Sequence, residues 1–174
     1  AQLVVVDTNI PADSLNWLAE HVKLPIFADP VSIAKAEKLR PILGKLHTLK
    51  PNRLEAEFLS GVAITDEASL NEAADALLAT GLRRVFISLG GDGVFAADHN
   101  ERKHLLCLPG EMVNTTGCGD AFMAALVWAY LEGSDLDASA RAGLAASSIA
   151  MESTETINPV MNAAAVRRRA GLDG

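Results

Sequence analysis

The sequence predicts an α/β protein with a three-layer α-β-α arrangement and a mostly parallel sheet. Three observations carry that expectation. Short apolar runs such as "LVVV" and "RVFISL" read as strands buried on both faces. Segments of helical period alternate with them. The connections are short, and β–α–β order with short connections leaves parallel strands covered by helices on both sides.

The elements follow in order along the chain. The run from Leu3 to Val6 is the first predicted strand, and a helix is expected from about Ser14 to Val22, introduced by Pro11 and Asp13. "PIFAD" is a second strand, stopped by Asp29 and Pro30. Ser32 should cap a helix through "IAKAEKLR", which Pro41 ends or bends. "LHTL" is a short third strand. It leads into "KPNRLEAEFLSG", a helix with Pro51 near its start and Gly61 just past its end. Ser69 to Thr80 reads as an amphipathic helix closed by Gly81. "RVFISL" is a strand that "GGDG" turns into "VFAAD", and the polar "HNER" separates this from "HLLCL". Helices are predicted from Phe122 to Leu131, from Ala138 to about Met151, and from about Ala163 onward. No repeat, low-complexity tract or linker divides residues 1–174, so one domain is expected.

Composition narrows the function classes. A net charge of −7 and a pI near 5.0 argue against a nucleic-acid or acidic-membrane surface. A small anionic ligand is still compatible, because a local site can be positive within an acidic protein. The one basic run, Arg167 to Arg169, reads as a solvated helix end. Cys107 and Cys118 form neither a disulfide framework nor a zinc spacing, so a reducing cytoplasm is expected. His21, His47, His99 and His104 show no ligand spacing. No signal peptide is visible, and no apolar run reaches the roughly 18 residues of a membrane span. A buried-looking strand opens the chain with no initiator methionine ahead of it, and the expectation is a piece of a longer protein.

In parallel α/β sheets, ligands sit beyond the C-terminal ends of the strands. That directs attention to three stretches. "TTGCGD" places glycines 117 and 119 and an acid at a helix start, where bare N–H groups and the helix dipole make a ready anion site. A glycine-rich cap with Asp120 in the first turn would use the same residues. In "KPNRLEAE", Asn52 and Glu55 stand three apart at a helix start. The spacing suits magnesium beside a polyphosphate, and it suits a capping pair better still. "SLGGDG", residues 88 to 93, permits close approach of a ligand to the backbone, and serves a hairpin turn equally well.

Taken together and in order, "PNRLEAE", "SLGGDGVF" and "NTTGCGDAFMAAL" resemble the C-terminal half of a ribokinase-like (PfkB family) sugar or nucleoside kinase. The resemblance spans essentially the whole chain. "ADPVSIAKAEKLR", "ILGKLHTLKPNRLEAEFLSG" and "TETINP" are similar to the bacterial pseudouridine kinase branch of that family. It implies a ribokinase-like fold whose upstream half, with its first strands and small β lid, lies outside these residues. It implies ATP-dependent phosphorylation of a sugar or nucleoside hydroxyl, with pseudouridine first among acceptors and other pentose sugars or nucleosides next. Carried over residue by residue, Asp120 is the catalytic base, and the amides of Gly117, Cys118 and Gly119 are the anion hole. Asn52 and Glu55 organise Mg2+ and the phosphates. Ser88, Gly90, Gly91 and Gly93 run beside ATP, and Leu144 to Ser148 form part of the adenine wall. Asn9 and Asp29 are candidates for reaching the acceptor, which is the small-molecule partner.

Some residues depart from the family pattern. Asn114 replaces an aspartate associated with a monovalent cation, which removes the charge that would favour K+ there; the same asparagine is a feature of the pseudouridine kinase branch. Leu144 stands where relatives often carry a polar residue. Cys118 replaces an alanine and, facing a positive helix end, is expected to have a lowered pKa. A cysteine acyl-transfer enzyme using Cys118 is therefore a rival reading, although no histidine lies within ten residues of it. A second rival is a non-catalytic nucleotide-binding fragment that self-associates into a homo-oligomer through an exposed sheet edge.

Overall fold

The computed structural model describes residues 1–110 and 112–173. Among them, six strands form one sheet in the order β1 (Val4–Asp7), β2 (Ile26–Asp29), β3 (Thr48–Leu49), β4 (Arg84–Ser88), β5 (Val94–Asp98), β6 (Arg102–Leu105). The first four pair in parallel, with Val5 opposite Phe27, Phe27 opposite Thr48, and Thr48 opposite Arg84. The links from β4 to β5 and from β5 to β6 are too short for a parallel crossover, so these neighbours run antiparallel and the sheet is mixed. Residues of both parities are buried along the central strands, Ala28 with Phe27 and Ile87 with Phe86. The sheet is thus covered on both faces, as three layers require.

The helices are α1 (Ala12–His21), α2 (Ile33–Ala36), α3 (Arg53–Ser60), α4 (Glu67–Leu78), α5 (Cys118–Leu131), α6 (Leu136–Met151) and α7 (Ala163–Arg169). Two compact units are distinguished. One contains residues 1–90 and 95–102, the other residues 91–94 and 103–174. In the first unit, Leu15, Leu39, Leu59 and Leu77 from the helical connections pack with Val6, Ile26, Leu49 and Ile87 of the sheet. In the second, Ala125 and Ala129 of α5, Ala142, Ala145 and Ile149 of α6, and Val166 of α7 form the core.

The structure departs from the expected elements where backbone chemistry overrides pattern. The helix expected across "IAKAEKLR" is α-helical only to Ala36, and a 3-10 helix follows over Glu37–Lys45, with Pro41 inside it. Proline lacks an N–H and its ring crowds the carbonyl four residues back, so the looser α spacing cannot continue. Ser32 makes no side-chain cap, and its N–H instead donates to the Pro30 carbonyl at 2.7 Å. Strand β6 is displaced toward the N-terminus relative to "HLLCL", taking in Arg102 and Lys103. Helix α5 starts at Cys118, four residues before the expected Phe122. The arginine run of α7 is not simply solvated: Arg167 pairs with Glu132 at 2.7 Å, and Arg169 with Glu152 at 2.7 Å.

Candidate active site

The first cluster lies at the C-terminal ends of β2, β3 and β4. Asn52 is the N-cap of α3, and its Oδ1 accepts the Glu55 N–H at 2.9 Å. Glu55 Oε2 accepts the Asn52 N–H at 2.9 Å in return. This reciprocal capping box satisfies two orphan donors, and it also fixes both side chains at the strand end. Ser88 is drawn in beside them, since its N–H donates to the Pro51 carbonyl at 2.9 Å and it bridges Asn52 in parallel. Glu55 is only 4% exposed. Burial pushes its carboxyl above the usual range; the Asn52 backbone bond opposes this, the Asp29 charge adds to it, and Lys50 opposes it.

Lys50 is a member of this cluster that the sequence reading passed over as a site residue. It is buried, and its Nζ lies 2.9 Å from Asp29 Oδ2. The signal was present in "KPN", because a lysine closing a buried strand needs a charged partner. Asp29 Oδ1 also accepts the Val31 N–H at 2.9 Å. Val31 has φ +64°, alone among the described non-glycine residues in taking a positive φ. For a β-branched residue such backbone costs about 1–3 kcal/mol and accumulates where function demands it. Asn9, the other candidate for the acceptor, is committed to Asp7 and to Lys35, whose Nζ donates to Asn9 Oδ1 at 2.5 Å.

The donor set bears on magnesium. Among the described residues, no three His, Cys, Asp or Glu side chains gather into a cage. One Glu55 oxygen is committed to the Asn52 amide, which leaves the other to accept from a metal-bound water. Magnesium typically keeps several waters and takes its remaining ligands from phosphates, so this pair fits an ion held through water beside a polyphosphate.

The second cluster is the turn that opens α5. Gly117 has φ +84°, and a Cβ there would stand 2.7 Å from the Thr156 carbonyl oxygen, so only glycine fits. The Cys118 N–H closes the turn on the Thr115 carbonyl at 3.3 Å, and the Ala121 N–H returns to Gly117. The N–H groups of Gly119 and Asp120 have no backbone acceptor among the described residues, and both residues are exposed. Bare amides at the positive pole of a long helix, with a carboxylate beside them, are what an anion site needs. Asn114 Oδ1 accepts the Thr116 N–H at 3.0 Å, and Ser147 Oγ donates to the Cys118 carbonyl at 3.0 Å, tying the turn to α6.

The expected lowering of the Cys118 pKa is overturned. Burial pushes the thiol up, outweighing its backbone hydrogen bond, and a protonated thiol is a poor nucleophile. Of the glycines after β4, Gly90 and Gly91 have nothing where a Cβ would stand and are open to a ligand. Gly93 has a structural reason of its own: with φ +89°, its missing Cβ would collide with the Leu105 carbonyl. On α6, Leu144 is 8% exposed, and Ser148 is buried with its Oγ accepting from Arg169 at 3.0 Å.

Residues 5–163 match the family described as pfkB family carbohydrate kinase. The chain belongs to the pfkB family. Pseudouridine kinase of Escherichia coli K12 is 38% identical over 168 residues, which are 95% of this chain and 54% of the relative. Ribokinase of Thermotoga maritima superposes with a TM-score of 0.84 at 25% identity, covering 97% of this chain and 57% of the other. Arabidopsis thaliana ribokinase, solved with ribose and ATP, gives a TM-score of 0.84 at 24% identity over 98% of this chain and 56% of that one, a likeness of fold. The chain spans about half the length of the curated relatives it matches. The ribokinase-like α/β fold expected from the sequence is the one observed.

Proposed function

We propose that the chain is the ATP-binding, C-terminal portion of a kinase that phosphorylates a sugar or nucleoside hydroxyl, with pseudouridine as the acceptor. The observation that carries this reading is the α5 turn, where unengaged amides stand beside Asp120 at a helix N-terminus. Phosphoryl transfer asks a protein mainly for positioning and charge stabilisation, and preorganised amides supply both. In this reading the Gly117, Gly119 and Asp120 amides donate to the transferred phosphoryl group, and the Cys118 amide joins them by giving up its long bond to Thr115. The Asp120 carboxylate takes the proton from the attacking hydroxyl. Glu55 and Asn52 would hold the nucleotide's magnesium through water, and that ion would neutralise phosphate charge. Asn114, neutral and engaged with Thr116, offers no charge to potassium. Pseudouridine rests on the 38% identity to the Escherichia coli enzyme. Among the described residues no helix is long and apolar enough to cross a membrane, and two free cysteines suit a reducing compartment, so we place the protein in the cytoplasm.

Calorimetric titration with magnesium and a non-hydrolysable ATP analogue tests the nucleotide part. Binding by the chain that disappears in Gly119→Val supports phosphates at residues 117–120. Equal binding by both proteins moves the phosphates elsewhere. The acceptor is tested by phosphate transfer to pseudouridine, ribose and uridine in a chain extended to the length of its relatives. Preference for either of the latter two replaces pseudouridine.

A further inference from the structure

The Asn52–Glu55 cap and the Lys50–Asp29 pair sit at the C-terminal ends of the parallel strands, and the opposite end of the same sheet carries a second concentration of polar groups. There a cavity of about 420 Å³ is lined by His47, Arg83, Arg84, Asp98, His99 and Asn100. His47 precedes β3, Arg84 opens β4, and Asp98 closes the antiparallel β5, so topology gathers them at one edge. Ser88, at the far end of β4, is four residues from Arg84, a separation of about 13 Å along an extended strand.

The charge balance of this cavity is the reverse of the whole chain's. Neither guanidinium has a hydrogen-bond or ion-pair partner among the described residues. The one carboxylate is already engaged, since Asp98 Oδ1 accepts the N–H groups of Asn100 and Glu101 at 2.8 and 2.9 Å. Two guanidiniums against one carboxylate therefore leave this lining with a positive balance in a protein of net charge −7. They also act on their neighbours: His47 is lowered to about 4, first by burial, then by the charges of Arg84 and Arg83. Its imidazole stacks on Phe27 with centroids 5.3 Å apart and meets Thr48 Oγ1 at 2.9 Å, which fixes the orientation of the ring. His99 Nε2 lies 3.1 Å from the Leu82 carbonyl, which orients its ring. Planar guanidiniums with free forks match the oxygens of a phosphoryl group, and the volume lies in the range of small-ligand pockets.

We propose that this cavity is a second anion site, which binds a small phosphorylated compound between the Arg83 and Arg84 guanidiniums, apart from the phosphoryl-transfer chemistry. The ligand chemistry is a dianionic phosphoryl group, either a free oligophosphate or a phosphate ester. The inference goes beyond the kinase reading and stands or falls without it.

The test exploits the chain's four histidines. The ring resonances of the nitrogen-15-labelled chain are followed while sodium pyrophosphate is added at fixed ionic strength without magnesium. The signals of His47 and His99 should move and saturate, while those of His21 and His104 stay. Gly119→Val should leave this titration unchanged, which separates it from the α5 turn. The double variant Arg83→Gln/Arg84→Gln should lose the shifts. Asn100→Asp, an exposed change that adds a repelling charge, should weaken the titration at least tenfold. Repeating it with inorganic phosphate and with ribose 5-phosphate distinguishes the sources: tighter binding of the ester assigns a phosphorylated sugar, and tighter binding of pyrophosphate assigns an oligophosphate. Absence of saturable shifts at His47 and His99, or an unchanged titration in Asn100→Asp and in the double variant, overturns the site.

Discussion

At the scale of single residues, Asp120 is the sharpest claim. Its amide and its carboxylate are assigned different tasks, so they can be separated. Asp120→Asn keeps the backbone donor and the first-turn geometry and removes only the proton acceptor. Turnover in the relative-length enzyme should fall roughly 10²–10⁴-fold with nucleotide affinity nearly unchanged, as expected for loss of general base catalysis. Near-normal turnover would take Asp120 out of the mechanism. A second residue-scale consequence concerns His47, whose pKa is lowered from 6.5 to about 4. Between those values the unfolded chain binds a proton that the folded chain refuses, so protons favour unfolding. The contribution of His47 to stability is therefore full above pH 6.5 and is lost as pH falls toward 4. His47→Gln should flatten that part of the melting-temperature profile between pH 6.5 and 4. An equally steep profile in the variant would assign the dependence to other groups.

At the scale of elements, the position of the α5 turn is set by packing against α6. Gly143 of α6 faces the ring of Phe122, and an alanine Cβ there would stand 2.5 Å from the ring tip. Phe122 is 5% exposed and follows Asp120 by two residues, so it has little room to yield. Gly143→Ala should destabilise the chain by about 1–3 kcal/mol, the usual cost of overpacking, read as a lower denaturation midpoint. Adding Phe122→Leu should recover part of the loss; no recovery would mean the strain lies in the helix backbone. The same elements show what could be read from sequence. Strands β2 and β4 were legible because their apolar runs are bounded by proline, glycine and charge. The start of α5 was not, because Gly-Cys-Gly has poor helix propensity, and the bond from Ser147 Oγ to the Cys118 carbonyl that ties the turn to α6 joins residues far apart in sequence. The 3-10 helix around Pro41 was half legible: proline announced a break, but tertiary burial of Leu39, Ile42 and Leu43 kept the chain coiled.

At the scale of the whole molecule, the candidate site was legible where chemistry is local and hidden where it is not. Asn52 with Glu55, and Gly117 through Asp120, are contiguous motifs whose spacing carries their meaning. The Lys50–Asp29 pair and the cavity at the opposite sheet end join residues far apart in sequence, and only the pairing of strands in the sheet brings them together. These readings meet in one measurement of the intact chain. A ligand that binds only the folded state raises stability by RT ln(1 + [L]/Kd). At a hundredfold excess of a magnesium–ATP analogue over its Kd this is about 2.7 kcal/mol, and for a chain of this size it should raise the melting temperature by about 5–11 °C. Gly119→Val should cancel the rise, since its side chain blocks the bare amides. Glu55→Gln keeps the capping bond to Asn52 but loses the charge that orders the metal's water, so it should shrink the rise with magnesium present and leave it unaltered with magnesium absent. A full rise in Gly119→Val would show that the nucleotide is held elsewhere than the α5 turn. A magnesium-independent rise in the parent chain would remove Asn52 and Glu55 from metal organisation and leave them as the cap of α3.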